Sequence, residues 1–156
     1  MNILLLEPYY TGSHKSWADG IQKHSRHRIT LLTLKGQFWK WRMHGGAVTL
    51  ARKFMDMHRI PDLIVATDML DLSTFLALVR KRVSGVPTAV YFHENQLAYP
   101  WSPQDRDIVQ KRDKHYGFIN FTTALAADAV LFNSAYNRDS FLNTLPGFLN
   151  HFPDHH

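Results

Sequence analysis

Four short stretches of this chain combine residue types that do chemistry. The first is Gly12-Ser13-His14-Lys15. Placed after a strand and opening a helix, such a turn offers free backbone N–H groups and the positive end of a helix dipole, which together hold anions. It is not a Walker loop: Lys15-Ser16 would need glycine at positions 9 and 14, where Tyr9 and His14 stand. There is no GxGxxG either, so dinucleotide binding has no support. A plain strand-to-helix turn capped by Ser13 is the competing reading. The second stretch is His93-Glu94-Asn95-Gln96. A histidine here can donate to a substrate hydroxyl or stabilise developing charge. A capping or core-lining histidine is the alternative. A zincin helix would need histidine at 97, which is Leu97. The third, Phe38-Trp39-Lys40-Trp41-Arg42, sets two tryptophans beside cations. If exposed, they can stack on bases or sugars and pair with phosphate; they can equally anchor a loop. The fourth, Asn133-Ser134, closes a strand and is accounted for by capping alone. Asp68 and Asp71 flank another strand end, Asp71 as a cap and Asp68 as a weaker ligand candidate. Tyr116, Asn120 and Thr123 share a helix face that packing would explain.

These stretches must be positioned by something, and the chain alternates strand and helix signals throughout. Strands are predicted over Asn2–Glu7, Arg28–Leu34, Asp62–Thr67, Thr88–Phe92 and Ala129–Phe132. Helices are predicted from Ser13 to about Lys23, over Ala47–His58, over Asp71–Val83, from Asp105 to about Asp128 with an interruption near Gly117, and from Ser134 to near Pro146. The 71–83 segment is the clearest: Leu72, Phe75, Leu76 and Val79 follow the i, i+3, i+4, i+7 pattern of a buried helix face. Residues 35–46 and 93–103 are predicted loops. Alternation of this kind implies βαβ units and a parallel sheet, a Rossmann-like α/β fold. Ligands of such sheets gather beyond the carboxyl ends of the strands, where Gly12–Lys15, His93–Gln96 and Asn133-Ser134 fall.

The composition narrows the possibilities. The 156 residues suit one domain. No cysteine is present, which excludes disulfide scaffolds, thiol catalysis and cysteine zinc sites. The apolar start lacks the basic segment of a signal peptide, and no stretch reaches the roughly 20 apolar residues of a membrane span, so a cytoplasmic protein without a membrane partner is expected. A net charge of +5 and a pI near 9.6 favour acidic partners such as nucleotides or RNA, or serve solubility alone. The His-rich end at 151–156 stops without a turn or cap, as if the chain were cut.

Taken in order, Gly12-Ser13-His14-Lys15, Trp39-Lys40-Trp41-Arg42, Tyr91-Phe92-His93-Glu94-Asn95-Gln96-Leu97, Phe132-Asn133-Ser134 and Phe152-Pro153-Asp154-His155 closely resemble the N-terminal domain of the tRNA-queuosine α-mannosyltransferase family. The resemblance covers essentially the whole chain. It implies the N-terminal, acceptor-side domain of a GT-B glycosyltransferase. Such an enzyme moves mannose, with retention, from GDP-mannose to the cyclopentenediol of queuosine in tRNA. It implies catalytic roles for His93 and Glu94, with His93 on the transferred sugar. It implies substrate contacts from Gly12, Ser13, His14, Lys15, Trp39, Trp41, Arg42, Asn95, Gln96, Asn133 and Ser134, the Gly12-Ser13 turn approaching the donor diphosphate or the acceptor. No metal and no cofactor are implied; the partners are the tRNA acceptor and the sugar-nucleotide donor. Two departures stand out. Thr11 replaces the first of a glycine pair, which loosens the expected backbone approach. The donor-binding C-terminal domain, with its basic residue and acidic motif, is missing from these residues, so this piece alone is expected to be inactive. A non-catalytic RNA- or nucleotide-binding α/β module is the alternative. A small flavodoxin-like hydrolase fits least, since no nucleophile–base pair or phosphate loop is apparent.

Overall fold

The computed structural model of the chain describes residues 1–154; His155 and His156 lie outside the described residues, so the final residue of the Phe152–His155 element is not placed. The elements run β1 (Asn2–Tyr10), α1 (Gly12–His24), β2 (Arg28–Lys35), α2 (Trp39–Met55), β3 (Leu63–Thr67), α3 (Leu72–Val83), β4 (Thr88–Phe92), α4 (Arg106–Val109), α5 (Lys114–Ala126), β5 (Ala129–Phe132) and α6 (Ala135–Leu149). The five strands form one parallel sheet in the order β2-β1-β3-β4-β5. The fold is therefore the expected Rossmann-like one. The order reverses between β1 and β3, and that switch point is where doubly wound sheets open a ligand crevice.

Alternation along β1 explains the two faces. Leu4 and Leu6 join Ile64 and Ala66 beneath α2 and α3, around Leu50, Phe54, Leu72 and Phe75. Leu5, between them, points the other way to Ala18 of α1. Successive strand side chains point to opposite faces, and a sheet covered on both sides reads as an unbroken apolar run. A third cluster packs Val90 and Phe92 against Phe141 of α6. No helix among the described residues is long and apolar enough to cross a membrane.

β1 runs on to Tyr10, past the expected Glu7, and α2 stops at Met55, short of the expected His58; three other boundaries also differ from the sequence reading. The loop expected over 35–46 is largely helix: α2 starts at Trp39, directly after Phe38 in left-handed backbone with φ 53°. The glycines at 45 and 46 suggested a break, yet a Cβ on Gly46 would lie 3.0 Å from Pro8 Cβ. Gly46 lets helix and strand touch, and Met43, Ala47, Leu50, Ala51 and Phe54 continue the buried face through it. The long helix expected over 105–128 is two helices, parted at residues 110–113 rather than at Gly117. The reversal passes through Lys111 at φ 56°, while Gly117 is buried inside α5, where the place of its missing Cβ is 2.6 Å from Leu97 Cδ2. Finally, α6 continues through Pro146 to Leu149. A proline there removes one N–H, but Phe148 packs on Phe152, which packs on Phe118, and these contacts hold the last turn in place.

Candidate functional site

The carboxyl ends of β1, β3 and β4 converge. β1 contributes Glu7, fully buried, whose Oε1 accepts the Tyr9 N–H at 2.8 Å and whose Oε2 lies 3.1 Å from Nδ1 of His14. The chain then turns through Gly12, in left-handed backbone at φ 52°, and α1 carries His14 back over the strand end. The Thr11 that departs from the glycine pair is accommodated by Gly36: a Cβ there would fall 2.3 Å from Thr11 Cγ2. Directly after β3 comes Asp68, also fully buried, with Oδ1 accepting the His93 N–H at 2.8 Å and Oδ2 without a partner among the described residues. Directly after β4 comes His93, whose carbonyl accepts from Asn133 Nδ2 at 2.7 Å.

The His93 ring is held on several sides. It lies 4.0 Å, centroid to centroid, from the His14 ring, with Trp17 and Tyr91 edge-on at 4.9 Å each. Its Nε2 is buried without a partner among the described residues. Burial and the neighbouring His14 hold the His93 pKa down to about 3, so the ring is neutral near pH 7. His14 goes the other way. Burial opposes its charge, but the hydrogen bond and charge of Glu7 outweigh burial and raise its pKa. Burial pushes Asp68 up to about 8, so it is largely protonated near neutrality and adds little negative charge there. Burial likewise raises Glu94.

Two hollows open on either side of Glu94 and Tyr99, which line both. One, of about 260 Å³, is lined by Tyr9, Gly12, Ser13, His14, Trp39 and Gln96 among others. The other, of about 290 Å³, is lined by His93, Asn95, Asn133, Ser134 and Tyr136 among others. A slightly larger hollow of about 320 Å³ lies at the amino ends of the strands, around Asn2, Arg28 and His58. It sits on the edge opposite to where parallel sheets bind ligands.

The structure thus brings Gly12, Ser13, His14, Trp39, His93, Glu94, Gln96, Asn133 and Ser134 to one region. Asn95 lines the second hollow too, but with its side chain engaged, and the structure directs other residues elsewhere. Asn95 is a clasp: Nδ2 donates to Asn137 Oδ1 at 2.7 Å and Ser140 Oγ at 3.0 Å, and Oδ1 accepts the Ala98 N–H, pinning the 93–105 loop to α6. Lys15 turns to Asp19 and over the Tyr10 ring. Arg42 donates to the Lys35 carbonyl at 3.1 Å. The two tryptophans, read as an exposed pair, separate. Trp41 is 75% exposed, whereas Trp39 is half-buried against Trp101 and Tyr116. Lys40 sits against those three rings and pairs with Asp105 and Asp107 at 2.7 Å each. Ser134 caps α6 as expected, accepting the Asn137 N–H at 3.1 Å.

Residues the sequence reading missed are as informative. Glu7 looked like the polar end of an apolar strand, and only the fold shows its carboxylate under His14. Asn120, assigned to packing, bridges the loops: Nδ2 donates to the Asp68 carbonyl at 2.8 Å and Oδ1 accepts the Gln96 N–H at 2.7 Å. Tyr9 and Tyr99 lie in apolar or loop surroundings that gave no signal. Glu7, His14 and His93 also offer ligand atoms within 4.8 Å of one another, so this trio has the donor types of a cation site. In the arrangement seen, however, one of those donors, Glu7 Oε2, holds His14.

A parallel sheet with histidine, carboxylate and aromatic groups around two hollows at its switch point defines a Rossmann-like domain, and its carboxyl edge is the one at which such sheets take ligands. The sequence profile of the family described as tRNA-queuosine alpha-mannosyltransferase N-terminal matches residues 2–156. A tRNA-queuosine alpha-mannosyltransferase of Drosophila melanogaster is 36% identical over 154 residues, 98% of this chain. The chain belongs to the tRNA-queuosine alpha-mannosyltransferase N-terminal family. It spans 39% of the length of that curated relative.

Proposed function

We propose that this domain is the acceptor side of a GT-B mannosyltransferase that places mannose from GDP-mannose on the queuosine of a tRNA, the donor being held mainly by a further domain. The observation that carries the reading is the pairing of an aromatic, carboxylate-bearing hollow with His93 at one strand edge. Tyr9, Trp39 and Tyr99 give faces on which a displaced base can stack. Glu94 sits between the hollows, suited to accept hydrogen bonds from the hydroxyls of a diol. His93 is neutral with a desolvated Nε2, which suits a hydrogen bond to a sugar rather than a salt bridge to phosphate. Val130 and Leu131 of β5 are exposed. A parallel strand ordinarily has both faces covered, and further polypeptide would cover this one.

The test uses the complete protein, meaning this domain together with a donor-binding remainder. His93→Ala should remove turnover while tRNA affinity stays within about twofold. A second reading, an RNA-binding module without catalysis, is favoured by the exposed Trp41 and the net charge of +5. It predicts no turnover in the parent and equal losses of tRNA binding from Trp39→Ala and His93→Ala.

A further inference from the structure

We infer that the β2 edge of the sheet, with α2 beside it, is a track for an RNA phosphate backbone that runs from the Trp39-lined hollow toward the amino ends of the strands. This rests on the reading of the acceptor as a tRNA and deepens it by placing the rest of the RNA. β2 is the last strand of the sheet and pairs with β1 alone. Arg28 opens it and Lys35 closes it, both exposed. From α2, which packs beside it, two cations reach the strand's outward carbonyls: Arg42 Nε donates to the Lys35 carbonyl at 3.1 Å and Lys53 Nζ to the Thr33 carbonyl at 3.2 Å. The Arg28 and Lys35 side chains and the Nη groups of Arg42 have no partner among the described residues. Of the carboxylates near this edge, Asp19 already holds Lys15 and the Tyr10 hydroxyl, and Asp62 holds the Asn2 N–H. Asp56, exposed at the end of α2, offsets one charge.

The two ends of the track differ in kind. At the carboxyl end, Phe38 and Trp41 are 76% and 75% exposed, on either side of the Trp39 that lines the hollow. Lys35 is in register with Tyr10 there, and Gly36 packs against Thr11 on the rim of the same hollow. Exposed aromatic faces suit the unstacked bases of a loop. Toward the amino end the edge offers cations, Arg28 lying with His58 and Arg59 around the 320 Å³ hollow. Cations without aromatic partners suit the backbone of a paired stem, and a guanidinium forks onto phosphate oxygens. From Arg28 to Lys35 the strand rises about 23 Å, at about 3.3 Å per residue. One strand of a duplex carries a charge roughly every 3 Å of its axis, so the edge spans several successive phosphates. Charges on an edge strand also keep other chains from pairing with it. That role accounts for Arg42 and Lys53 on the carbonyls, but two large exposed aromatics at the same end would work against it.

The test is tRNA binding by the complete protein over about 50 to 300 mM salt. It compares wild type, Arg28→Gln, Lys35→Gln, the double variant, and Arg138→Gln on α6, beside the opposite edge strand β5. Each phosphate contact adds about 0.7–0.9 to the slope of log Kd against log salt. Each single variant should weaken binding about three- to tenfold at fixed salt and lower the slope by about that amount, the double variant by about twice as much. The losses should be equal for queuosine and guanosine tRNA, because phosphate contacts carry no sequence information. Arg138→Gln should bind as wild type does. An unmoved slope in the double variant, or an equal fall in Arg138→Gln, overturns the track. Where a variant fails to fold, hydrogen exchange of the wild-type protein decides: slower exchange over residues 28–42 on adding tRNA supports the track, and unchanged exchange there overturns it. The two readings fail separately. If wild type transfers no hexose to queuosine tRNA while the slopes fall as stated, the track stands and the mannosyltransferase reading fails. If transfer proceeds and the slopes do not move, the track alone fails.

Discussion

The buried Asp68 carboxyl lets the energetics of this strand edge be tested without any ligand. Asp68 is fully buried, its Oδ1 accepts the His93 N–H at 2.8 Å, and Oδ2 has no partner among the described residues. Burial raises its pKa from 3.8 to about 8. A carboxyl raised in the folded state binds more protons there than in the unfolded chain across that window. Stability therefore falls as pH climbs from about 4 to about 8 and levels off beyond. Each pH unit is worth about 1.4 kcal/mol, so about three units below pH 7 cost on the order of 4 kcal/mol, as an upper figure. Asp68→Asn keeps an oxygen for the His93 N–H and abolishes the titration. We expect the variant to be more stable than wild type at pH 7 by about 2–4 kcal/mol, the two converging near pH 4. Urea midpoints of both chains from pH 4 to 9 measure this, and the wild-type minus variant difference cancels the titrating groups that do not sense Asp68, His14 being one that does. Parallel curves, or a less stable variant at pH 7, would refute the reasoning.

Three further outcomes follow from the same geometry. Asn137→Ala removes one acceptor of Asn95 Nδ2, which keeps Ser140 Oγ, and one donor to the Phe92 carbonyl, which keeps the Asn133 N–H; it should lower stability by about 1–2 kcal/mol in urea titration. Lys40→Met keeps the stem among Trp39, Trp101 and Tyr116 but frees Asp105 and Asp107; it should cost about 1–2 kcal/mol and speed hydrogen exchange of residues 100–113 more than of the sheet. In the complete protein, Trp41→Ala should raise the KM for tRNA a few-fold with kcat unchanged, because Trp41 is exposed and outside both hollows.

The sequence carried the sheet better than the site. Unbroken apolar runs such as Leu4–Leu6 and the 72–79 helix pattern are local signals, and both stand in the structure. The start of α2 was hidden because Gly45 and Gly46 look like a loop, whereas Gly46 is there for contact with Pro8. Residue type and strand-end position pointed to His93, Glu94 and Gly12–His14. They could not reveal that His14 rests on Glu7, or that Asn95 and Asn120 hold loops together. Those are long-range relations, 42 residues apart for Asn95 and Asn137 and 52 for Asn120 and Asp68, created only when the strand ends meet.

The most direct test of the acceptor-side claim is transfer itself. The complete protein would be incubated with GDP-mannose and queuosine-containing tRNA, the tRNA digested, and the nucleosides weighed by mass spectrometry. A hexose increment on queuosine is predicted, absent with His93→Ala and absent from tRNA carrying guanosine at the same position. A hexose on guanosine tRNA, or none on queuosine tRNA from wild-type protein, would contradict the account.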